Sequence, residues 1–148
     1  MKGQLRFTVL DELKLVLISY SGILKIEDLM FQINIRNVNS AYNPTFNTIY
    51  DFRDCDFDFK LSDFEICVEE AQKNPFYGIV KRVAILVNKP KETLLTHSFI
   101  NSIKEYTSNN FEVFFGISIA LQYVEVSLKQ KRHIEHELKK LREAELAL

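Results

Sequence analysis

Short apolar segments with the composition of β-strands alternate along this chain with segments that have the 3.6-residue period of an amphipathic helix. Leu5–Leu10 and Leu13–Tyr20 are separated only by a polar break, which predicts an N-terminal β-hairpin. Three further strands are predicted at Asn47–Arg53, Arg82–Val87 and Phe111–Phe115. The element order β-β-α-β-α-β-α-β-α predicts an α/β fold: a mixed, mostly parallel five-stranded sheet with flanking helices and a long C-terminal helix.

Length and composition limit the class of protein. The chain has 148 residues, 47% of them hydrophobic, and a net charge of −1, which is typical of one globular domain without affinity for nucleic acid. Its apolar runs are too short to span a bilayer, and its two cysteines are too few for a disulfide framework. We therefore expect a cytoplasmic protein with no transmembrane segment and no nucleic-acid partner.

Four phrases of the sequence resemble the STAS domains, in particular the SpoIIAA-like subgroup. They are LVLISYSG (Leu15–Gly22), YNPTFNTIYDFRD (Tyr42–Asp54), RVAILVNKP (Arg82–Pro90) and FEVFFGISIALQYV (Phe111–Val124). The resemblance implies a non-enzymatic domain, because members of the family act as anti-sigma-factor antagonists or as sensor and interaction modules. The similar CRAL-TRIO lipid carriers bind apolar ligands.

The sequence departs from the STAS antagonists at their phosphorylated serine, which lies in an Asp-x-Ser-Gly segment at the start of the second helix. Here the segment Asp58–Asp63 contains no glycine, and Ser62 is its only hydroxyl residue. Ser62 also fits an N-cap, with Glu65 reaching back to complete a capping box. We therefore expect no phosphoserine switch of the usual kind.

Charged and polar side chains gather where the predicted strands end, at the edge of the sheet where open α/β folds bind ligands. The predicted partner or ligand face consists of Asp51, Arg53, Asp54, Asp56, Asp58, Ser62, Asn88, Lys89 and Lys91. The alternative is that these residues form internal ion pairs that fix the loops.

Two patterns suggest a metal site, and both have simpler explanations. Asp54, Asp56, Asp58 and Glu65 match positions 1, 3, 5 and 12 of a calcium-binding loop, but Phe59 replaces the required glycine. His133 and His136 are one helical turn apart among charged residues, which is typical of a solvated helix face. The sequence predicts no metal and no cofactor.

The residue set of an enzyme is not evident. Cys55 lies between Asp54 and Asp56, whose charges are expected to raise its pKa and make it a poor nucleophile. With four glycines and no nucleophile elbow, the sequence has no phosphate-binding loop and no hydrolase motif. The protein is therefore expected not to be an enzyme.

The final helix is predicted to extend beyond the STAS-like domain, which gives a domain of residues 1–124 and a helical extension of residues 125–148. Ile134, Leu138 and Leu141 lie on one stripe that could pair two subunits in a homodimer or dock on a partner. The alternative is a helix whose first turns pack on the sheet while the rest projects into solvent.

The sequence thus predicts a regulatory module that binds a protein partner and does no chemistry. The second hypothesis is a CRAL-TRIO-like carrier or sensor of a small apolar ligand or lipid. Twelve phenylalanines and six tyrosines could line such a pocket, although they could equally fill a core.

Overall fold

The five strands form one mixed sheet in which their spatial order equals their order in the sequence. The computed structural model describes residues 4–31, 40–73 and 78–143. β1 pairs with β2 in antiparallel fashion, and the pairs β2–β3, β3–β4 and β4–β5 are parallel. The strands are β1 (Gln4–Leu10), β2 (Leu15–Leu24), β3 (Asn47–Phe57), β4 (Arg82–Leu86) and β5 (Asn110–Phe114). The predicted fold class is confirmed.

Five α-helices connect or follow these strands in the part of the chain that the structure describes. In the described residues, α1 occupies positions 26–31 after β2. The others are α2 (Phe64–Lys73), α3 (Pro90–Ile103), α4 (Ile117–Tyr123) and α5 (Lys131–Glu143). The C-terminal helical part of the chain therefore consists of a short helix and a longer one.

The strand order decides which face of the sheet each helix covers. Crossovers between parallel strands are almost always right-handed, so three crossovers that advance in the same direction place their helices on the same face. Leu29 of α1 and Leu95 and Ile100 of α3 indeed pack on one apolar cluster. The opposite face of the sheet, which carries Leu15 and Leu17 of β2, receives no crossover helix and must be covered by the end of the chain.

Aromatic rings fill the face covered by the crossover helices. Consecutive ring contacts, with centroids 5.0–6.2 Å apart, run from the middle of β3 through α2 and α3 to β5. The rings in contact are, in order, Tyr50, Phe52, Phe57, Phe59, Phe64, Phe99 and Phe111. Edge-to-face and stacked contacts of this kind give a densely packed interior. Much of the aromatic content of the chain is therefore used to fill the core.

α4 and α5 cover the other face. Ile134 and Leu138 of α5 are 0% exposed and pack with Leu15 and Leu17 of β2 in one cluster, with Leu141 half-buried beside them. The expectation that this stripe projects, pairs two subunits or docks on a partner is therefore wrong for Ile134 and Leu138. The physical reason is that the sheet would otherwise leave one apolar face in water. The proposed division of the chain after residue 124 stays a prediction.

A short reversal between α4 and α5 turns the chain back over the sheet. Glu125 adopts a left-handed conformation with φ of 63°, and the N–H of Val126 donates to the carbonyl of Leu121 at 2.9 Å. Such a left-handed residue is a common way for a helix to end. Ser127 then accepts a hydrogen bond from the N–H of Lys129 at 3.2 Å, which caps the next turn.

Candidate interaction face

A β-bulge in β3 positions the central acidic residues of the predicted face. Two residues lie between Asp51 and Asp54 on β3, whereas only one residue lies between their partners Ser19 and Ser21 on β2. The extra residue shifts the alternation of side chains, so Asp51 and Asp54 point to the same face of the sheet. Both carboxylates thereby face α5.

Asp51 is the centre of an ion network that joins β3 to α5. Its side chain is 1% exposed and accepts hydrogen bonds from the backbone N–H and the guanidinium of Arg53. Arg142 of α5 donates to the same carboxylate at 2.8 Å and contacts Asp54 at 3.2 Å. Arg53 also donates to Glu135 of α5 at 2.9 Å. Both oxygens of Asp51 are therefore bound by cations, as a buried carboxylate requires.

This network engages Asp51 and Arg53 in contacts inside the protein. The hydrogen bonding of the Arg53 guanidinium to the carboxylate of Asp51 is the main cause that raises the pKa of Arg53 further above its ordinary value, against the opposing effect of burial. Three hydrogen bonds of the Arg53 guanidinium go to carboxylates of the protein itself, and the side chain is 19% exposed. Asp51 and Arg53 thus form an internal ion pair, as in the alternative interpretation, in which such pairs fix the loops.

A second group of contacts ties the loop after β4 to the end of β3. Lys89 donates to the carboxylate of Asp56 at 2.8 Å and to the carbonyl of Cys55 at 3.1 Å. Lys91 donates to the carbonyl of Phe57 at 2.9 Å. The Lys89 ammonium lowers the pKa of Asp56, and Asp56 raises that of Lys89. The predicted proximity of these two loops is thus present in the structure.

Glu92 is a residue of this edge that sequence analysis missed. Its carboxylate is 4% exposed and accepts a hydrogen bond of 2.9 Å from the backbone N–H of Phe57. Lys91 lies 3.5 Å from the same carboxylate. The available signal was its place in the first turn of α3, two residues after Pro90, where an acidic side chain is favoured.

Glu135 and Arg142 were also missed, because the sequence does not show which strand α5 contacts. Their separation of seven residues places them on the same side of a helix, beside the apolar stripe. That spacing was the only sequence signal for their shared role.

The remaining predicted residues lie at the surface of this edge. Asp58, Ser62 and Asn88 are exposed, and their side chains make no hydrogen bond within the described parts of the chain. Asp54 and Asp56 are exposed as well, although each has one basic neighbour. We call these five residues, Asp54, Asp56, Asp58, Ser62 and Asn88, the carboxyl-edge face.

Ser62 does not act as the predicted helix cap. A 3₁₀ turn at Leu61–Asp63 precedes α2, and the side chain of Asp63 accepts a hydrogen bond from the N–H of Lys60 at 2.7 Å. The capping pair is therefore Lys60 and Asp63 instead of Ser62 and Glu65. Ser62 lies on the wall of an open groove of about 750 Å³ between α2 and α3, together with Leu61, Val68 and Tyr106.

The acidic residues do not form the loop that a calcium ion would need. β3 continues to Phe57, so Asp54 and Asp58 are about 13 Å apart along an extended segment, at roughly 3.3 Å per residue. Within residues 4–31, 40–73 and 78–143, no group of three or more His, Cys, Asp or Glu side chains is arranged to hold a metal ion.

Both cysteine thiols are buried and free of disulfides. Burial, followed by the charges of Asp51 and Asp54, raises the pKa of Cys55 far above its ordinary value, and its thiol donates to the carbonyl of Tyr20. Burial raises the pKa of Cys67 to about 11. The expected rise at Cys55 is confirmed, with burial as its largest cause.

Comparisons with known proteins support the fold. No family model and no curated protein matches the sequence. Among solved structures, the chain is similar to an uncharacterized protein of the DUF3478 family from Shewanella loihica, which is described as having a SpoIIAA-like fold. The two chains are 17% identical and superpose with a TM-score of 0.54 over 84% of this chain and 96% of the other. The SpoIIAA-like fold expected from the sequence is thereby confirmed. In the part of the chain that the structure describes, none of the helices is long and apolar enough to cross a membrane.

Proposed function

We propose that this protein is a non-catalytic module of cytoplasmic regulation that binds a protein partner through the carboxyl-edge face. One observation carries the proposal: the polar groups at this edge are divided into a buried set and an exposed set. The side chains of Asp51 and Glu92 are enclosed and bound by the protein itself. The side chains of Asp58, Ser62 and Asn88 face solvent and make no hydrogen bond in the described residues. The buried set makes the edge rigid, and the exposed set is presented to solvent.

The chemistry of the buried groups argues against catalysis at this edge. A catalytic acid, base or nucleophile must be accessible to the substrate and must be able to gain or lose a proton near the working pH. The carboxylate of Asp51 is bound by two arginines, and the thiols of Cys55 and Cys67 are buried with raised pKa values. These groups therefore serve to maintain the fold.

The exposed groups suit a polar contact with another protein. Asp54, Asp56 and Asp58 follow one another at every second residue, so they lie in a row with a spacing of about 6.6 Å. Lys89 and Arg142 hold the carboxylates of Asp56 and Asp54 in place. A preorganised row of this kind lowers the entropy cost of binding a partner that supplies hydrogen-bond donors.

A capture experiment with matched variants tests the proposal. The face variant Asp58→Lys/Asn88→Lys changes two exposed residues whose side chains make no hydrogen bond in the described residues. The control variant Asp11→Lys/Glu12→Lys makes a similar change in charge in the exposed turn between β1 and β2, at the opposite edge of the sheet. We expect the wild type and the control to enrich the same proteins from a native extract and the face variant to lose them. Equal enrichment by all three proteins would refute the role of this face.

The carrier hypothesis retains one supporting observation. The groove between α2 and α3 has a volume within the range of small-molecule sites, about 300–1,000 Å³, and it is partly lined by apolar side chains. The aromatic rings of the core, however, contact one another. The aromatic side chains that line the groove are those of Phe64 and Tyr106. Organic extraction of the purified protein and mass spectrometry test this alternative. A stoichiometric lipid that is lost in Val68→Glu would favour the carrier, and an empty extract would favour the interaction module.

A further inference from the structure

Among the strands that the structure describes, β5 lies at the end of the sheet and has a neighbour on one side only. Toward β4, the N–H of Asn110 donates to Lys81 at 2.8 Å and the carbonyl of Phe114 accepts from Val87 at 3.1 Å. Backbone groups alternate in direction along a strand, so the N–H and C=O groups of Phe111 and Val113 point away from β4. In the described residues these outward groups have no backbone partner.

Large apolar side chains are exposed around the carboxyl end of β5. Phe115, the next residue after the strand, is 69% exposed. Leu94 in the first half of α3 and Ile119 in α4 are 69% and 60% exposed, and both helices contact β5. Natural edge strands are usually protected by lysine, proline or several charges. β5 has the sequence NFEVF, in which Glu112 is the only charged residue.

We propose that β5 pairs in antiparallel orientation with β5 of a second copy of this chain, about a two-fold axis at Val113. This register places Val113 opposite its own copy and Phe111 opposite Phe115. These are the residues with outward backbone groups, so each pair exchanges hydrogen bonds. The two five-stranded sheets then join into one continuous sheet.

Two features favour this register and a second copy of the chain as the partner: the position of Glu112 and the covering of Phe115. With the axis at Val113, Glu112 lies opposite Phe114, and the exposed ring of Phe115 is covered by Phe111 of the partner. An axis at Glu112 would place two carboxylates directly opposite each other, which is destabilising. The edge is thus complementary to itself, as a two-fold interface requires. The net charge of −1 adds little repulsion between copies.

Solution mass tests the interface. For the wild type, sedimentation equilibrium is expected to show a concentration-dependent rise toward twice the chain mass of 17.3 kDa. Phe115→Lys adds a charge at a position that is 69% exposed and belongs to neither apolar cluster of the core. We expect it to raise the dissociation constant at least about tenfold. The control is Phe31→Lys, the same substitution at a phenylalanine of α1 that is 62% exposed. We expect it to leave the dissociation constant unchanged.

Val113→Pro is a second disruption, because proline removes the outward N–H at the axis without removing a bond to β4. Its fold is checked by circular dichroism, and the Phe115→Lys result decides the question if this variant unfolds. A wild type that stays monomeric at all concentrations, or a dimer that Phe115→Lys does not weaken, overturns the proposal.

Cross-linking tests the register. Residues in a hydrogen-bonded antiparallel pair have Cα atoms about 5.5 Å apart, which lies within the range that a disulfide spans. Oxidation is therefore expected to link two copies of Val113→Cys. It is expected to leave Glu112→Cys largely monomeric, although that position is the more exposed one. More efficient linking of Glu112→Cys than of Val113→Cys overturns the proposed axis.

Discussion

Arg142 donates a hydrogen bond of 2.8 Å to the carboxylate of Asp51, 91 residues earlier in the chain. The two residues connect the last helix to the middle strand of the sheet. The same carboxylate is bound by Arg53, so one buried acid holds two cations from different elements. This contact ties α5 to β3 and engages Asp51, at the centre of the predicted binding face, inside the protein.

Asp51→Ala is expected to lower the free energy of unfolding by about 3 kcal/mol, because it leaves Arg53 and Arg142 partly enclosed without their shared counter-ion. Urea denaturation monitored by circular dichroism measures this loss. Asp54→Ala is the control: that carboxylate is 61% exposed, and its pair with Arg142 contributes at most about 1 kcal/mol. Similar losses in the two variants would contradict the central role of Asp51.

Ile134→Ala is expected to lower the free energy of unfolding by about 2–5 kcal/mol, since the side chain is completely buried between α5 and the sheet. Leu128→Ala, at a leucine that is 47% exposed just before α5, is expected to change it much less. Denaturant titration of both variants checks the prediction. A projecting helix would instead give negligible effects in both.

Glu92→Ala is expected to cost about 1–3 kcal/mol, because the buried N–H of Phe57 loses its acceptor. Glu92→Gln keeps an acceptor oxygen and removes only the charge, so we expect it to cost less. Hydrogen exchange of the Phe57 amide gives a local measurement, with faster exchange in Glu92→Ala than in Glu92→Gln. Equal exchange in the two variants would show that the side chain does not bind this amide.

The pair Asp56–Lys89 predicts a specific dependence on pH. The ammonium of Lys89 lowers the pKa of Asp56 below its ordinary value of 3.8. A carboxylate with a depressed folded-state pKa contributes stability above its unfolded pKa, and the contribution is lost as the pH falls through the folded value. Carbon-detected NMR titration should find the Asp56 pKa below 3.8 in the wild type and closer to it in Lys89→Met. An unchanged Asp56 pKa in that variant would remove the assigned cause.

Local patterns in the sequence determined the fold class. The sequences of β2 and β4 contain continuous apolar runs, which are typical of strands covered on both faces, and each strand supplies residues to both clusters of the core. The loops that carry Asp56 and Lys89 were predicted to meet because the carboxyl ends of neighbouring parallel strands lie at one edge. These conclusions depend on the spacing of apolar side chains along each strand and on the order of strands and helices along the chain. Both can be read from the sequence without knowledge of distant contacts.

The use of each charged residue was decided by tertiary structure. The sequence could not distinguish Asp51, which is buried and bound by arginine, from Asp58, which is exposed. Each of the two aspartates lies between two aromatic residues, so their local sequence patterns are the same. The separation depends on the bulge in β3 and on the return of α5 over the sheet. Both depend on contacts between residues that are far apart in the sequence. The bulge forms where β3 pairs with β2. α5 packs on the sheet because the apolar face that it covers would otherwise be exposed to water.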